Sequence, residues 1–253
     1  MNEQSIRELP TGEQRFEILR ERGLVYVDKT QYIPPLLRSA GFYFLSRPRR
    51  FGKSLFLSTL KAYFLGQKEL FEGLYIGERE ETLATEQGRE AWITFPVLHL
   101  DLNAKNYVSR KSLLEILDFH LSDWEEKYSI ARKEETPEDR FKILLKTIYE
   151  TTHQQVVILI DEYDKPLLET IEPKDAELNE AYRKILKGFY GVLKNCDQYI
   201  RLAFLTGVTK FGKISIFSDL NNLNDISLHT KYATICGITE DEVREYFDPE
   251  IKA

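Results

Sequence analysis

The feature of this 253-residue sequence that most constrains its fold is a glycine–lysine–serine turn between an apolar run and a helical pattern. The apolar run is Phe42-Tyr43-Phe44-Leu45, and the turn lies within Arg47-Pro48-Arg49-Arg50-Phe51-Gly52-Lys53-Ser54. No proline or glycine interrupts residues 53–65 after the turn. Apolar side chains recur there at near-helical spacing, at Leu55, Leu57, Leu60 and Phe64. The sequence therefore predicts a strand, a turn and an amphipathic helix.

Such a turn is typical of proteins that bind the phosphates of a nucleotide. Backbone N–H groups and the positive end of the helix meet the anion, the lysine reaches the β- and γ-phosphates, and the serine hydroxyl holds Mg²⁺. One position departs from the full G-x-x-x-x-G-K-S pattern, because Arg47 stands where the first glycine is expected. A bare Gly-Lys-Ser match also arises by chance, so the alternative is an ordinary basic loop before a helix.

A second apolar run, Val156–Ile160, ends directly at Asp161-Glu162. Its mostly β-branched residues are typical of a strand that is buried on both faces of a parallel sheet. In a P-loop ATPase, the aspartate at such a strand end holds Mg²⁺ through water, and the glutamate polarises the attacking water. The alternative is a solvated strand end. Because both motifs occur in one chain, in the right order and each after an apolar run, they favour a P-loop ATPase.

Composition and charge exclude several other classes. The chain is 42% hydrophobic and long enough for one α/β domain, and its 35 basic and 41 acidic residues give a net charge of −6. That charge argues against a general electrostatic grip on nucleic acid, so nucleic acid is expected only as an indirect partner. Cys196 and Cys236 lack metal-ligand spacing, and the four histidines are scattered, so zinc is not expected. Without a membrane-length apolar segment or a signal sequence, the protein is expected to be cytoplasmic and free of membrane.

Further apolar runs and helical patterns alternate along the chain, which indicates a mostly parallel sheet in a three-layer α/β fold. Ligands of such sheets bind beyond the carboxyl ends of the strands, where Lys53, Asp161 and Thr206 are expected to gather. Near the end, a capping-box pattern at Thr239–Glu242 predicts a helix through Tyr246-Phe247 that Asp248-Pro249 stops. The other predicted strands are Leu24–Val27, Phe95–Leu102, Ile200–Leu205 and Asp225–Leu228, and the other predicted helices are Ser112–Lys127, Pro137–Thr151 and Ala176–Asn195.

Over most of its length the sequence resembles the AAA-ATPase-like proteins of bacteria and archaea, which are often fused to a C-terminal PD-(D/E)XK nuclease-like domain. Arg47-Pro48 matches the usual form of the P-loop in that family. The resemblance implies an ASCE-type P-loop ATPase fold followed by a helical lid. The segments that carry it are Leu9–Gly12 with Phe16, Tyr26–Thr30, Arg47–Ser54, Leu159–Pro166, Thr206–Phe211, and Ser215–Ser218 with Leu220–Leu223.

The same resemblance implies roles for particular residues, with ATP and Mg²⁺ as cofactors. Gly52, Lys53 and Ser54, with the flanking Phe51 and Leu55, would bind the phosphates, and Ser54 with Asp161 would hold the metal. Glu162 would activate water, and Thr206 and Thr209 in the segment 206–210 would contact the γ-phosphate. Arg49 and Arg50 would neutralise phosphate charge.

Several of these roles have structural alternatives. The segment 206–210 could be a polar strand end, and Arg49 and Arg50 could form surface salt bridges. The segment Val27–Thr30 is expected to cap the next helix. Its alternative place, with Phe16, is beside the base or ribose.

The expected organisation is a P-loop ATPase-like domain in residues 1–236 and the beginning of a truncated helical lid in residues 237–253. No nuclease core is recognisable, so the chain is expected to be a piece of a longer protein, the product of a split gene, or a stand-alone module. The expected partner is a nuclease-like region or another protein absent from this chain, and a homo-oligomer is the alternative.

Three functions fit these motifs. The first is a Mg²⁺-dependent ATPase that acts as a nucleotide switch, the second a module that binds nucleotide without turnover, and the third a small-molecule kinase. The Asp161-Glu162 pair favours water over a substrate hydroxyl as the acceptor.

Overall fold

The computed structural model describes residues 7–38, 41–132, 135–209, 216–217 and 222–252. The chain forms two compact units, each built from separate segments. The helical unit comprises residues 1–39, 50–94 and 228–253, and the sheet unit comprises residues 40–49 and 95–227. The described helices are α1 (Phe16–Glu21), α2 (Ile33–Leu37), α3 (Lys53–Phe64), α4 (Tyr75–Glu86), α5 (Arg110–Lys127), α6 (Pro137–Thr152), α7 (Lys165–Glu169), α8 (Ala176–Asn195) and α9 (Glu240–Lys252). The described strands are β1 (Gly41–Ser46), β2 (Val97–Asp101), β3 (Val156–Asp161), β4 (Ile200–Gly207) and β5 (Leu223–Asp225).

The sheet unit contains one five-stranded sheet in the order β2-β3-β4-β1-β5, and all four neighbouring pairs are parallel. Every residue of β3 is buried, as its apolar run predicts. Asp101 lies opposite Asp161, and Ser46 lies opposite Gly207. The carboxyl ends of four strands therefore meet at one edge of the sheet. The predicted parallel α/β architecture is confirmed.

Helices α5, α6 and α8 pack together in the sheet unit. Thr136 caps helix α6, since its hydroxyl accepts a hydrogen bond from the N–H of Asp139 at 3.2 Å, and the helix begins with a proline. The rings of Phe141 and Phe189 stack at 4.6 Å between centroids. The buried Arg140 pairs with Glu125 at 2.7 Å and so ties α6 to α5.

The helical unit has a core of its own around Phe16. The Phe16 ring lies 5.1 Å from that of Tyr26 and 4.9 Å from that of Phe71. The strand predicted at Leu24–Val27 is wrong, because this segment has neither helical nor strand pairing. Leu24, Val25 and Tyr26 are buried all the same, and the N–H of Val25 donates to the carbonyl of Glu8 at 3.2 Å.

Asp28 organises the segment that follows. Its Oδ1 accepts a hydrogen bond from the N–H of Thr30, and its Oδ2 accepts one from the N–H of Tyr75, both at 2.7 Å. These bonds begin a 3-10 turn and helix α4, so Asp28 caps the helices that follow, as predicted, although no strand precedes it. Phe16 is fully buried in the core of its unit.

Helix α9 begins with the predicted capping box. The N–H of Glu242 donates to the Thr239 hydroxyl at 3.2 Å, and the N–H of Thr239 donates to Glu242 Oε2 at 2.8 Å. The predicted stop at Asp248-Pro249 is wrong, because the helix continues to Lys252. Arg7 supports the last turns, since its Nε donates to Glu250 Oε1 at 3.1 Å and its guanidinium also donates to the carbonyl of Tyr246.

The strand predicted at Asp225–Leu228 is displaced toward the N-terminus, because β5 ends at Asp225. Ser227 already forms a turn, in which its N–H donates to Asp225 Oδ1 at 3.0 Å. Among the described helices, none combines the length and the apolar composition that a membrane crossing requires.

Candidate functional site

The Gly-Lys-Ser turn lies at the N-terminus of α3, in the helical unit. Gly52 immediately precedes the helix with φ of 86°, a left-handed conformation that glycine adopts without strain. The carbonyl of Gly52 accepts the hydrogen bond from the N–H of Phe56 at 3.0 Å, which closes the first turn. Lys53 is only 4% exposed, and Ser54 is half-buried. The first N–H groups of a helix have no partner within it, so this end of α3 suits an anion.

The residues just before Gly52 are more open. Arg50 is exposed and has a positive φ of 63°, and Phe51 is 44% exposed. The carbonyl of Phe51 accepts a hydrogen bond from the N–H of Gly237 at 2.8 Å. A Cβ at Gly237 would lie 3.2 Å from the Phe51 ring, so this close approach favours glycine there. Arg49 is also exposed and belongs to the sheet unit.

A cavity of about 510 Å³ opens beside this turn, within the helical unit. Its size falls in the range of small-molecule sites, and most of its lining is apolar. Its lining residues come from four parts of the unit: Pro10 and Glu13; Val25, Tyr26, Val27 and Lys29; Arg50, Phe51, Gly52, Leu55 and Phe56; and Ile235, Cys236, Gly237, Ile238 and Phe247.

A buried ion pair joins two of the segments around the cavity. The Lys29 ammonium donates to Glu242 Oε1, and both side chains are largely shielded from solvent. Burial raises the pKa of the Glu242 carboxyl. The Lys29 ammonium and the N–H of Thr239 outweigh burial and hold that pKa below its usual value. The charged pair therefore connects α9 to the segment that carries Lys29, which lines the cavity.

In the sheet unit, the end of β3 presents the predicted acidic pair. Asp161 is buried, and its Oδ1 accepts hydrogen bonds from the Thr206 hydroxyl and from the N–H of Glu162, the latter at 3.1 Å. Glu162 is half-buried and has a left-handed φ of 53°. This turn directs the chain away from the strand, and the N–H of the next residue, Tyr163, donates to the carbonyl of Thr206 at 2.9 Å. The sheet thus brings Asp161, Glu162 and Thr206 together, as the sequence predicted.

Asp164 also belongs to this cluster, although the sequence did not single it out. It is 1% exposed, and its carboxylate accepts hydrogen bonds from the N–H groups of Val208 and Thr209 and from the Thr209 hydroxyl. The signal that could have identified it is the Asp-x-x-Asp spacing from Asp161, which places a second carboxylate just after the strand end.

Arg47 has a structural role in the sheet unit. Its guanidinium donates to the carbonyls of Ser46 and Ser227, and its N–H donates to the carbonyl of Gly207 at 3.1 Å. Arg47, at the position of the first glycine in the phosphate-loop pattern, therefore fixes the end of β1. Its backbone stays in line with the neighbouring strand.

The predicted site residues thus fall into two groups. Arg50, Phe51, Gly52, Lys53, Ser54 and Leu55 lie in the helical unit, and Arg49, Asp161, Glu162, Thr206 and Thr209 lie in the sheet unit. Lys210 lies outside the described residues. A metal held jointly by Ser54 and Asp161, and the expected gathering of Lys53 with Asp161, stay predictions. So does the expected domain boundary at residues 236 and 237.

Comparisons with known proteins found similarity to a curated relative and to a solved structure. A relative from Azotobacter chroococcum mcd 1, described as an uncharacterized protein in the vnfD 5′ region, is 38% identical over 248 residues. The match covers 98% of this chain and 46% of the relative, so the chain spans about half the length of that protein. A solved structure of the Aeropyrum pernix ORC2 protein, in ADPNP and ADP complexes, also matches; the match covers 99% of this chain and 54% of the ORC2 chain. Its identity to this chain is 15% and its TM-score is 0.37.

The family comparison is decisive. A family model described as "Predicted AAA-ATPase" matches residues 10–217, most of the chain. The match includes both the Gly-Lys-Ser turn and the Asp-Glu strand end. The chain belongs to the predicted AAA-ATPase family.

Proposed function

We propose that this chain binds ATP with Mg²⁺, hydrolyses it, and acts as a nucleotide switch for a partner domain or protein. The observation that carries the proposal is the Gly52-Lys53-Ser54 turn at the N-terminus of α3 beside a cavity of small-molecule size, in a member of the predicted AAA-ATPase family.

The helical unit would bind the nucleotide. The first N–H groups of α3 and the Lys53 ammonium favour a polyphosphate, because both place positive charge at the turn. The exposed Arg50 adds charge next to it. The mostly apolar cavity, with Phe51 and Phe247 in its lining, suits the flat faces of a base. Nucleotide binding therefore draws on two neighbouring features of one unit.

The hydroxyl of Ser54 and the carboxylate of Asp161 are the groups that would hold Mg²⁺, since this ion prefers oxygen ligands. Among the described residues, both hydrogen bonds to Asp161 fall on Oδ1, which orients the carboxylate and fits a role in which Oδ2 faces metal-bound water. The bound ion would neutralise charge on the phosphates. Glu162 is half-buried at the same strand end, where it would accept a proton from the attacking water.

The first arm of the test measures binding. Lys53→Ala should remove most affinity for ATP–Mg²⁺ in titration calorimetry, because it deletes the cation at the phosphates. Lys61→Ala is the matched control, since Lys61 lies in the last turn of the same helix. Wild-type affinity in the Lys53 variant would refute the assignment of the turn.

The second arm measures turnover as phosphate release. Glu162→Gln should keep ATP affinity and lower turnover by roughly 10²–10⁴-fold, the usual scale for loss of a general base. Glu177→Gln, an exposed position at the start of α8, is the control. If the wild-type chain binds ATP but releases no phosphate, alone or with its partner region, a nucleotide-binding module without turnover replaces the ATPase.

The partner is the broadest part of the proposal. The Azotobacter relative is about twice as long as this chain, so its additional region is the kind of protein on which we propose that the nucleotide switch acts. A nuclease-like region is our proposed partner, and that region, rather than this chain, would contact nucleic acid. Phosphate release by this chain with and without the corresponding region of the relative would test the coupling.

A further inference from the structure

Asp164 is a buried carboxylate for which the proposed phosphate chemistry has no role. It lies three residues beyond Asp161, and its own carbonyl accepts the first hydrogen bonds of the short helix α7, from Leu167 and Leu168 at 3.0 and 2.9 Å. With 1% exposure, an unpaired carboxylate here would be costly. Its burial therefore has to be offset by specific partners.

All the side-chain partners that the structure gives Asp164 come from two consecutive residues after β4. The N–H of Val208 approaches Oδ1 at 3.2 Å and Oδ2 at 3.1 Å. The N–H of Thr209 donates to Oδ2 at 2.7 Å, and its hydroxyl donates to the same oxygen at 2.9 Å. Hydrogen bonds to a charged acceptor are stronger than neutral ones. The carboxylate therefore fixes both the backbone and the side chain of this loop.

Two further features hold the same loop against the strand end of β3. The hydroxyl of the buried Tyr163 donates to the carbonyl of Thr209 at 2.9 Å. A Cβ at Gly207 would lie 2.4 Å from the Tyr163 ring and 2.8 Å from the Asp164 carboxylate. Glycine is thus required at 207 by close approach. The loop 207–209 and the segment 163–164 fit each other closely.

The result is a double connection between the two strand ends. At the strand ends of β3 and β4, Asp161 accepts a hydrogen bond from the Thr206 hydroxyl. Three residues further along each segment, Asp164 accepts a hydrogen bond from the Thr209 hydroxyl. Glu162 lies between the two carboxylates in the chain. A displacement of Thr209 would therefore act on the segment that carries Glu162.

We propose that Asp164 is a positioning residue that couples the loop 207–209 to the Asp161-Glu162 strand end. This inference rests on the proposed function, in which Thr209 lies near the γ-phosphate and Glu162 activates water. Asp164 holds Thr209 and Glu162 in a fixed mutual geometry, so that occupancy of the γ-phosphate position sets the orientation of the base. Its removal should impair the chemical step and leave nucleotide binding largely intact.

The test compares steady-state ATP hydrolysis by wild type and Asp164→Asn. An asparagine keeps the shape, loses the charge, and turns one acceptor into a donor that faces N–H groups. We expect kcat to fall about 10- to 100-fold, since small misplacements of catalytic groups have effects of that size, while KM stays within about threefold. The ratio of ADP to ATP-analogue affinities should also move toward one, a change that a purely structural role would not produce.

A second pair of variants keeps the test decisive if Asp164→Asn fails to fold. Tyr163→Phe removes only the hydroxyl bound to Thr209, and we expect kcat to fall about two- to tenfold, the range of one neutral hydrogen bond. Tyr190→Phe is the matched control. Tyr190 is equally buried and, like Tyr163, lies 5.2 Å from the Phe217 ring, but its hydroxyl has no hydrogen-bond partner in the part of the chain that the structure describes.

The outcomes separate this inference from the proposed function. A wild-type chain that neither binds nor hydrolyses ATP would overturn the function, and the coupling with it. A wild type that hydrolyses ATP, with folded Asp164→Asn and Tyr163→Phe variants at its rate and nucleotide preference, would overturn the coupling alone. A variant whose kcat falls only in proportion to its unfolded fraction, as measured by its unfolding curve, with KM and nucleotide preference unchanged, would do the same.

Discussion

Glu162, the proposed general base, has a backbone conformation that is strained for an L-residue. Its φ of 53° costs about 1–2 kcal/mol for a residue with a Cβ. The N–H of Glu162 donates to Asp161 and that of Tyr163 to Thr206, so the left-handed turn is held by bonds on both sides. Strain of this kind is retained where the surrounding structure fixes it, often at functional sites.

Glu162→Gly should therefore remove activity without removing stability. Glycine relieves the left-handed strain, and this gain is offset by about 0.4–1 kcal/mol of extra entropy in the unfolded chain. We expect the free energy of unfolding in urea to stay within about 1 kcal/mol of wild type, while phosphate release is lost. Glu162→Val, which is β-branched, should lose about 1–2 kcal/mol at the same position. Equal stability of the two variants would contradict the strain argument.

The residues of the site were predictable from the sequence to different degrees. Asp161 and Thr206 follow apolar runs, and parallel strands bring such positions to one edge, so their meeting could be predicted. The structural role of Arg47 could not, because its guanidinium binds carbonyls that are one and 180 residues away. Asp164 carried only a spacing signal, and its partners depend on how closely Gly207 approaches Tyr163.

The helices and strands, like the site residues, were predictable from the sequence to different degrees. The long periodic segments gave α5, α6 and α8 within two residues of their predicted bounds, and the strands before Asp101, Asp161 and Thr206 were also predicted. The apolar run at Leu24–Val27 did not become a strand, because apolar side chains there are buried in a unit whose described residues contain only helices and turns. Helix α9 passes Pro249 with the support of Arg7, which is 243 residues away from Glu250 in the chain. Local signals cannot reveal such contacts.

Helix α5 contributes a pH-dependent contact to the sheet unit. His120 Nε2 lies 3.2 Å from the carbonyl of Asp101, at the end of β2, in hydrogen-bonding geometry that a neutral ring with a proton on Nε2 satisfies. Burial lowers the pKa of His120, and the nearby Asp101 and Asp123 oppose this shift only partly. The unfolded chain therefore binds a proton more readily than the folded one. The stability that comes from burying the neutral ring is present above pH of about 6.5 and is lost as the pH falls through the lower folded pKa.

His120→Gln should make the acid side of the stability profile shallower, because glutamine does not titrate. The measurement is the free energy of unfolding in urea for both proteins at pH values from 8 to 5. At pH 8 the histidine is neutral in both states, so the difference there reports only the changed contacts. The two curves should approach each other as the pH falls below about 6.5. Parallel curves over the whole range would show that His120 does not contribute to acid sensitivity.

At the scale of the whole molecule, the composition and the alternation of elements predicted an α/β protein with a parallel sheet. The sequence did not predict the division of the chain into two compact units. Each is assembled from segments that are distant in sequence, such as residues 1–39 with 228–253. No change in composition marks the points where the chain passes from one unit to the other, at residues 49–50, 94–95 and 227–228. The sequence therefore indicated the class of fold more clearly than its division.

Nucleotide binding should raise the stability of the whole chain by mass action, because a ligand that binds only the folded state shifts the unfolding equilibrium. At 100 times its dissociation constant, ATP–Mg²⁺ contributes about 2.7 kcal/mol. For a chain of this size, each kcal/mol raises Tm by about 2–4 °C, so the expected shift in a thermal melt is about 5–11 °C. Lys53→Ala should abolish the shift, and Glu162→Gln should keep it because the proposed base acts after binding. A wild-type melt that does not respond to millimolar ATP and Mg²⁺ would contradict nucleotide binding by this chain, whereas a shift that survives in Lys53→Ala would place the nucleotide site elsewhere than on α3.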